Sequence, residues 1–253
     1  MEINRVKTIL VSQPEPPSDK SPYTGLSKKH KVQVDFRPFV HVEGVDASEF
    51  RKQKVHILEH TAIIFTSRYA VDHFFRLCKE TRVNVPETMK YFCMSEAVAY
   101  YLQNYIPFRK RKIFIGKLRF VDLVELIKKH RQENFLLPVS DIYKESMPKL
   151  LNDNGIKYTI SIFYKTVASD LSDLTDITYD ILVFFSPSGI VSLLKNFTDF
   201  KQNDTRIAAF GKTTADSIKD HKLKLNIPAP TPECPSMIKA LDEYITEANK
   251  RRR

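Results

Sequence analysis

Two stretches of the chain match each other, and together they decide the fold. Ile63–Phe75 reads IIFTSRYAVDHFF, and Leu182–Leu194 reads LVFFSPSGIVSLL. In each, a short apolar run gives way to a hydroxyl-bearing turn and then to apolar residues at helical spacing. That is the outline of a buried strand feeding an N-capped helix. After a spacer each is followed by a second strand, turn and helix: YFCMSEAVAYYL at Tyr91–Leu102 and IAAFGKTTADSI at Ile207–Ile218. A design that recurs in the same order points to two similar units. The letters alone are weak, because any two strand–helix pairs share some likeness.

The same alternation runs outward almost from end to end. Val6–Val11 and Val32–Phe36 read as strands, Ala47–Leu58 as a helix, and Ala62–Phe65 as a buried strand. Ser67 can cap a helix whose apolar face is Ala70, Val71, Phe74, Phe75 and Cys78. Lys90–Cys93 and Lys112–Gly116 read as strands before helices over Ala97–Tyr105 and Val121–Ile127. Phe135–Leu137, Tyr158–Tyr164, Ile181–Phe185 and Arg206–Phe210 complete the strands. Gly155 suits the stop of a helix ending near Asn152, and Ser236–Ala248 is the last helix. Strands alternating with helices imply parallel sheets covered by helices.

The bulk numbers bound the function. With 253 residues, 42% of them hydrophobic, the chain can bury one large core or two modest ones. Six glycines leave little room for glycine-rich cofactor loops. No apolar run approaches the roughly 20 residues that span a bilayer. Cys78, Cys93 and Cys234 are far apart and odd in number, which suits a reduced, cytoplasmic chain. A formal charge of +10 favours a polyanionic partner, whether nucleic acid, an acidic membrane or a polycarboxylate.

Several motifs carry competing readings. Gly211–Thr214 reads GKTT after a strand, like a phosphate loop. The glycine that a nucleotide P-loop needs five residues earlier is Arg206, which argues against a nucleotide site. Hydroxyls recur at this place: Thr66 and Ser67, Ser186 and Ser188, Thr213 and Thr214. Helix N-termini at strand ends attract anions, and short hydroxyls add donors. Ordinary N-capping explains the same residues, with Thr213 and Asp216 fitting a capping box. HILEH (His56–His60) matches an inverted zinc-protease pattern in which both histidines share a helix face, yet no third acidic ligand is identifiable. Phe108–Phe120 carries six basic residues among aromatics, as RNA-binding segments do, and a solvated basic edge accounts for it more simply. Tyr164 ends a strand near the middle of the chain, where a phenol can donate a proton.

Taken together, the FTS-x-x-AV run, Tyr164-Lys165-Thr166, FFSPSGI and AAFGKTTA resemble the uroporphyrinogen-III synthase family of tetrapyrrole biosynthesis. The motifs are short, but their order and spacing cover nearly the whole chain. The resemblance implies two similar flavodoxin-like α/β domains of parallel sheet, joined by a two-strand linker, with the active site in the interdomain cleft. One domain would be discontinuous, 1–37 plus 166–253, and the other continuous, 41–163. The linkers would fall near 36–42 and 162–168. The resemblance further implies closure of hydroxymethylbilane with inversion of its last ring and loss of water, without cofactor or metal. Tyr164 would assist departure of the hydroxyl. Thr66, Ser67, Ser95, Ser186, Ser188, Gly189, Thr213 and Thr214 would grip the carboxylates. The partner is then a small polycarboxylate, and the chain a monomer needing neither membrane nor nucleic acid.

Two positions depart from the family pattern. Ser12-Gln13-Pro14 replaces a Thr-Arg-Pro, removing a cation. Cys93-Met94-Ser95-Glu96-Ala97 replaces a Gly-x-x-Thr-Ala turn, setting Glu96 where a threonine usually sits. These leave a second reading open: a diverged two-domain protein that binds a tetrapyrrole or RNA without catalysis.

Overall fold

The computed structural model describes residues 4–16, 21–174 and 178–250. The basic run Arg251–Arg253 lies outside the described residues. In chain order the first elements are β1 (Thr8–Val11), α1 (Pro22–His30), β2 (Gln33–Phe36), β3 (Val40–Gly44) and α2 (Ala47–Lys52). Then come β4 (Ala62–Phe65), α3 (Arg68–Glu80), β5 (Lys90–Cys93), α4 (Glu96–Leu102), β6 (Ile113–Ile115) and α5 (Phe120–Lys128). β7 (Phe135–Ser140), α6 (Ser146–Asp153) and β8 (Tyr158–Ala168) follow. The chain closes with β9 (Ile181–Phe184), α7 (Pro187–Asn196), β10 (Arg206–Phe210), α8 (Lys212–Asp220), β11 (Leu225–Ala229) and α9 (Met237–Lys250).

The chain separates into two compact units, Met1–His41 with Val167–Arg253, and Val42–Thr166. The first holds a five-stranded sheet in the order β11-β10-β9-β1-β2, and every pairing in it is parallel. The second holds a six-stranded sheet, β3-β8-β7-β4-β5-β6, in which β4 to β8 pair in parallel and β3 flanks β8. Both sheets repeat one plan. β4, β5 and β6 occupy the positions of β9, β10 and β11, and β7 and β8 those of β1 and β2. The difference is connectivity. In the second unit β7 and β8 follow the first three strands, whereas in the first unit their counterparts precede them. The two are circular permutants, so the matched sequence stretches recur in order while the whole units do not.

Burial on both faces explains the near-continuous apolar strands. In the second unit Ile63 and Phe65 face α3 and α4, while Ala62 and Ile64 face α5 and α6. In the first, Leu182 and Phe184 pack with Ile190 and Ile218 of α7 and α8, while Val183 packs with α1 and α9. β4 and β9 are buried at every position.

Some expectations are corrected. The helix expected over Ala47–Leu58 stops at Lys52, because Lys54 turns left-handed at φ 56°; a 3-10 turn at Ile57–Glu59 follows. β7 runs on to Ser140 through Pro138, which is tolerated because β4 pairs β7 only at Phe135 and Leu136. β8 continues past Tyr164 to Ala168. α1, β3 and β11 add to the elements read from sequence. Among the described residues no helix is long and apolar enough to cross a membrane.

Candidate active site

α3 begins where β4 ends. Ser67 adopts an extended backbone, and its hydroxyl accepts the Ala70 amide at 3.1 Å, capping the helix. The same Oγ shares a hydrogen bond of 3.2 Å with the Tyr164 hydroxyl, reaching in from β8. Tyr164 is 8% exposed. Burial raises its pKa above the usual tyrosine value, and the bond to Ser67 only partly offsets this. The phenol is therefore a neutral donor through the physiological range.

Tyr164 and Thr66 line a cavity of about 560 Å³ at the carboxyl ends of the parallel strands. Ser140 at the end of β7, Met94 after β5, and Arg119 and Lys144 from the loops before α5 and α6 complete its character. Neither α5 nor α6 has a side-chain cap at its N-terminus. First-turn amides without such a partner attract anions, and two cations stand beside them. Arg119 is largely exposed and pairs with Asp122 through bonds of 3.0 and 2.9 Å. Ser140 and Thr166 converge on Asp141: the Ser140 hydroxyl donates to its carboxylate at 2.8 Å, and the Thr166 amide at 2.9 Å. The cavity thus offers apolar walls, a neutral phenol and a cationic rim.

Of the residues singled out in the sequence, Thr66, Ser67 and Tyr164 come together. Ser95 is nearly buried and caps α4 through the Val98 amide. The others lie on the first unit's sheet. Ser186 caps α7 through the Gly189 amide at 3.4 Å; Ser188 is half-buried and Gly189 buried against Phe184. Thr213 is exposed and Thr214 buried, both inside the first turn of α8. Thr213 does not cap, which overturns the capping box with Asp216: the cap is Gly211, at φ 89°. Registers also correct the matching of Glu96. Phe65 and Phe184 are equivalent, their neighbours across the sheet being Cys93 and Ala209. Ser95 therefore matches Gly211, and Glu96 matches Lys212 and not a threonine.

HILEH is not a metal site. His56 is exposed and His60 buried at opposite ends of a 3-10 turn, so they share no helix face. The His60 Nδ1 bonds to the His56 carbonyl. Among the described residues no group of three or more histidine, cysteine, aspartate or glutamate side chains could hold a metal.

The family model described as uroporphyrinogen-III synthase HemD matches residues 21–239. The chain belongs to this family. Uroporphyrinogen-III synthase of Saccharomyces cerevisiae is 26% identical over 137 residues, which is 49% of this chain and 50% of the yeast protein. The chain thus matches about half the length of that curated relative. The crystal structure of uroporphyrinogen-III synthetase from Helicobacter pylori superposes with a TM-score of 0.60 at 17% identity, covering 96% of this chain and all of the other. A mutant uroporphyrinogen III synthase from the extremely thermophilic bacterium Thermus thermophilus gives 0.51 at 13%, covering 97% and 100%. These two bear on the fold, which is that of uroporphyrinogen-III synthases. The residues that sequence reasoning missed are Ser140, Arg119, Lys144 and Ser146 around the cavity. Arg119 lay inside the basic stretch 108–120, and its place before an uncapped helix was the available signal.

Proposed function

We propose that the chain closes hydroxymethylbilane to uroporphyrinogen III, inverting the last pyrrole ring and releasing water. The observation that carries this reading is Tyr164, a residue that lines the cavity and whose hydroxyl is held on Ser67, within a chain of this family. Loss of the terminal hydroxyl leaves a cation delocalised into the pyrrole, so no strong nucleophile is required. Tyr164, kept protonated by burial, donates to the departing hydroxyl, which leaves as water. The bridge-bearing carbon of the last pyrrole then attacks the exposed methylene, its bond to the bridge breaks, and the bridge re-forms at that ring's free carbon, whose proton returns to the Tyr164 phenolate; the last ring is thereby inverted.

Grip on the carboxylates falls to helix N-termini. Arg119 and Lys144 flank the N-termini of α5 and α6, which no side chain caps, and Lys212 stands in the first turn of α8, also without a side-chain cap. Ser186, Ser188 and Thr213 add short donors. Thr214, Ser95 and Gly189 shape the turns from within. We further read the chain as a cytoplasmic monomer, with domains at about the boundaries the resemblance implies and acting without a cofactor.

The test is to generate hydroxymethylbilane in situ and resolve the uroporphyrin isomers after oxidation, with and without the protein. Type III product above background supports the synthase. Type I alone, at the spontaneous rate, sinks it and leaves a binding protein.

A further inference from the structure

Tyr164 is supported from α3 by more than Ser67. The His73 ring lies against it with centroids 5.4 Å apart and planes inclined 21°, and Tyr69 stands at 6.3 Å. Tyr69 and His73 are four apart and so occupy one face of the helix. Behind the histidine sits Arg76, whose Nε donates to His73 Nδ1 at 3.3 Å. An arginine has no acceptor, so Nδ1 must carry the lone pair and Nε2 the proton. Arg76 is itself fixed. Its Nη1 donates to Glu80 at 2.6 Å and its Nη2 to the Val45 carbonyl at 2.5 Å. It also lies over Gly44, where a Cβ would come within 2.5 Å of Nη2.

We propose that His73 is the positioning residue for Tyr164: its neutral imidazole, oriented by Arg76, backs the phenol ring and keeps the hydroxyl on Ser67. Protonation of His73 withdraws that support. The imidazolium has donors at both nitrogens, so Nδ1 loses its bond from Arg76 and two cations face each other. Arg76 is pinned on three sides, so the histidine ring must turn, and the stack on Tyr164 goes with it. The charged and titratable groups around His73 are Asp72, Arg76 and Glu80 on its own helix and Tyr164 from β8. Asp72 is engaged by the hydroxyls of Tyr101 and Tyr105. Burial first, and Arg76 second, hold the His73 pKa below the ordinary histidine value, against Asp72 and Glu80. The neutral form is thus the working one at pH 7. This inference rests on the reading of Tyr164 as the proton donor.

The experiment follows the His73 ring nitrogens and the Tyr164 ring resonances of the full chain by NMR against pH. In parallel, the rate of type III formation is measured over the same range. We expect both sets of resonances, and the acid limb of the rate, to follow one titration with a midpoint below about 6.5. His73→Phe keeps a ring on the tyrosine but cannot titrate, so the Tyr164 shift and the acid limb should disappear. Arg76→Gln removes the charge that lowers the midpoint and should move it up. Glu80→Gln, on the exposed side of the pair, should move it down and serves if Arg76→Gln fails to fold. Tyr164 resonances that stay put while His73 titrates overturn the inference, as does an acid limb surviving in His73→Phe. Coupled NMR titration without any type III product overturns the synthase reading and leaves the positioning intact.

Discussion

The two units use one scaffold for different ends, and the differences sit at matched positions. After the first strand they agree: Ser67 and Ser186 both cap the following helix three residues on. After the second they diverge. Ser95 fills the cap of α4 with its own hydroxyl and is followed by Glu96, whereas Gly211 caps α8 with no side chain and is followed by Lys212. One turn is closed to anions by a hydroxyl and a carboxylate; the other is left open and cationic. The strands at the far side differ as well. β2 ends at Phe36, opposite Val11, while β8 overruns the equivalent level and carries Tyr164 on the extension. Tyr164 has no counterpart in the first unit. Two sheets of one strand order thus end differently, and only the second carries a buried tyrosine at its edge.

If the equivalence is real, matched core positions should cost alike. Phe65 packs on Phe74 and Tyr91, and Phe184 on Phe39, all fully or nearly buried. Phe65→Ala and Phe184→Ala should each lose about 3–5 kcal/mol in urea unfolding; a near-neutral result at either breaks the pairing.

The two caps should respond unequally. Gly211, at φ 89° and ψ 151°, occupies a region that only glycine enters easily. No atom lies within 4 Å of a Cβ built there, so the penalty is conformational. Gly211→Ala should cost about 1–3 kcal/mol. Ser95→Gly should cost only a few tenths, about the difference between those two caps elsewhere. Equal losses by thermal unfolding would show that Gly211 is not under that constraint.

Smallest are the charge exchanges. Glu96 stands favourably at a helix start and Lys212 unfavourably, so Glu96→Lys should destabilise and Lys212→Glu stabilise by about 0.3–1 kcal/mol. Their effects on KM for the polyanion should run the other way, falling for Glu96→Lys and rising for Lys212→Glu. A KM that rises for Glu96→Lys, or falls for Lys212→Glu, would contradict the assigned anion grip.

The legible parts of this molecule were those written in local periodicity. β4 and the apolar face of α3 announce themselves, and the Ser67 cap needs only its own neighbours. β11 was missed because Asn226 and Pro228 interrupt LNIPA; it is a strand because its partner β10 and the helix α9 cover it. α1 hides behind Pro22 and Gly25. Lys54 ended α2 through a left-handed backbone that a lysine does not advertise. The same limit applies at the site. Tyr164 could be named from the family pattern, and Thr66 and Ser67 from their turn. Ser140, Arg119 and Lys144 meet them only because the strand order β8-β7-β4-β5-β6 brings distant loops to one edge. Setting Cys93 at the glycine of Gly-x-x-Thr-Ala puts Glu96 two residues out of place, because Ser95, and not Cys93, is level with Gly211.

The most direct test is the rate of type III formation by Tyr164→Phe, beside its unfolding midpoint. Phenylalanine keeps the ring against His73 and removes only the hydroxyl on Ser67. The account expects a rate loss on the order of 10²–10⁴-fold with little change in stability. A variant that forms the type III isomer at the wild-type rate would contradict it.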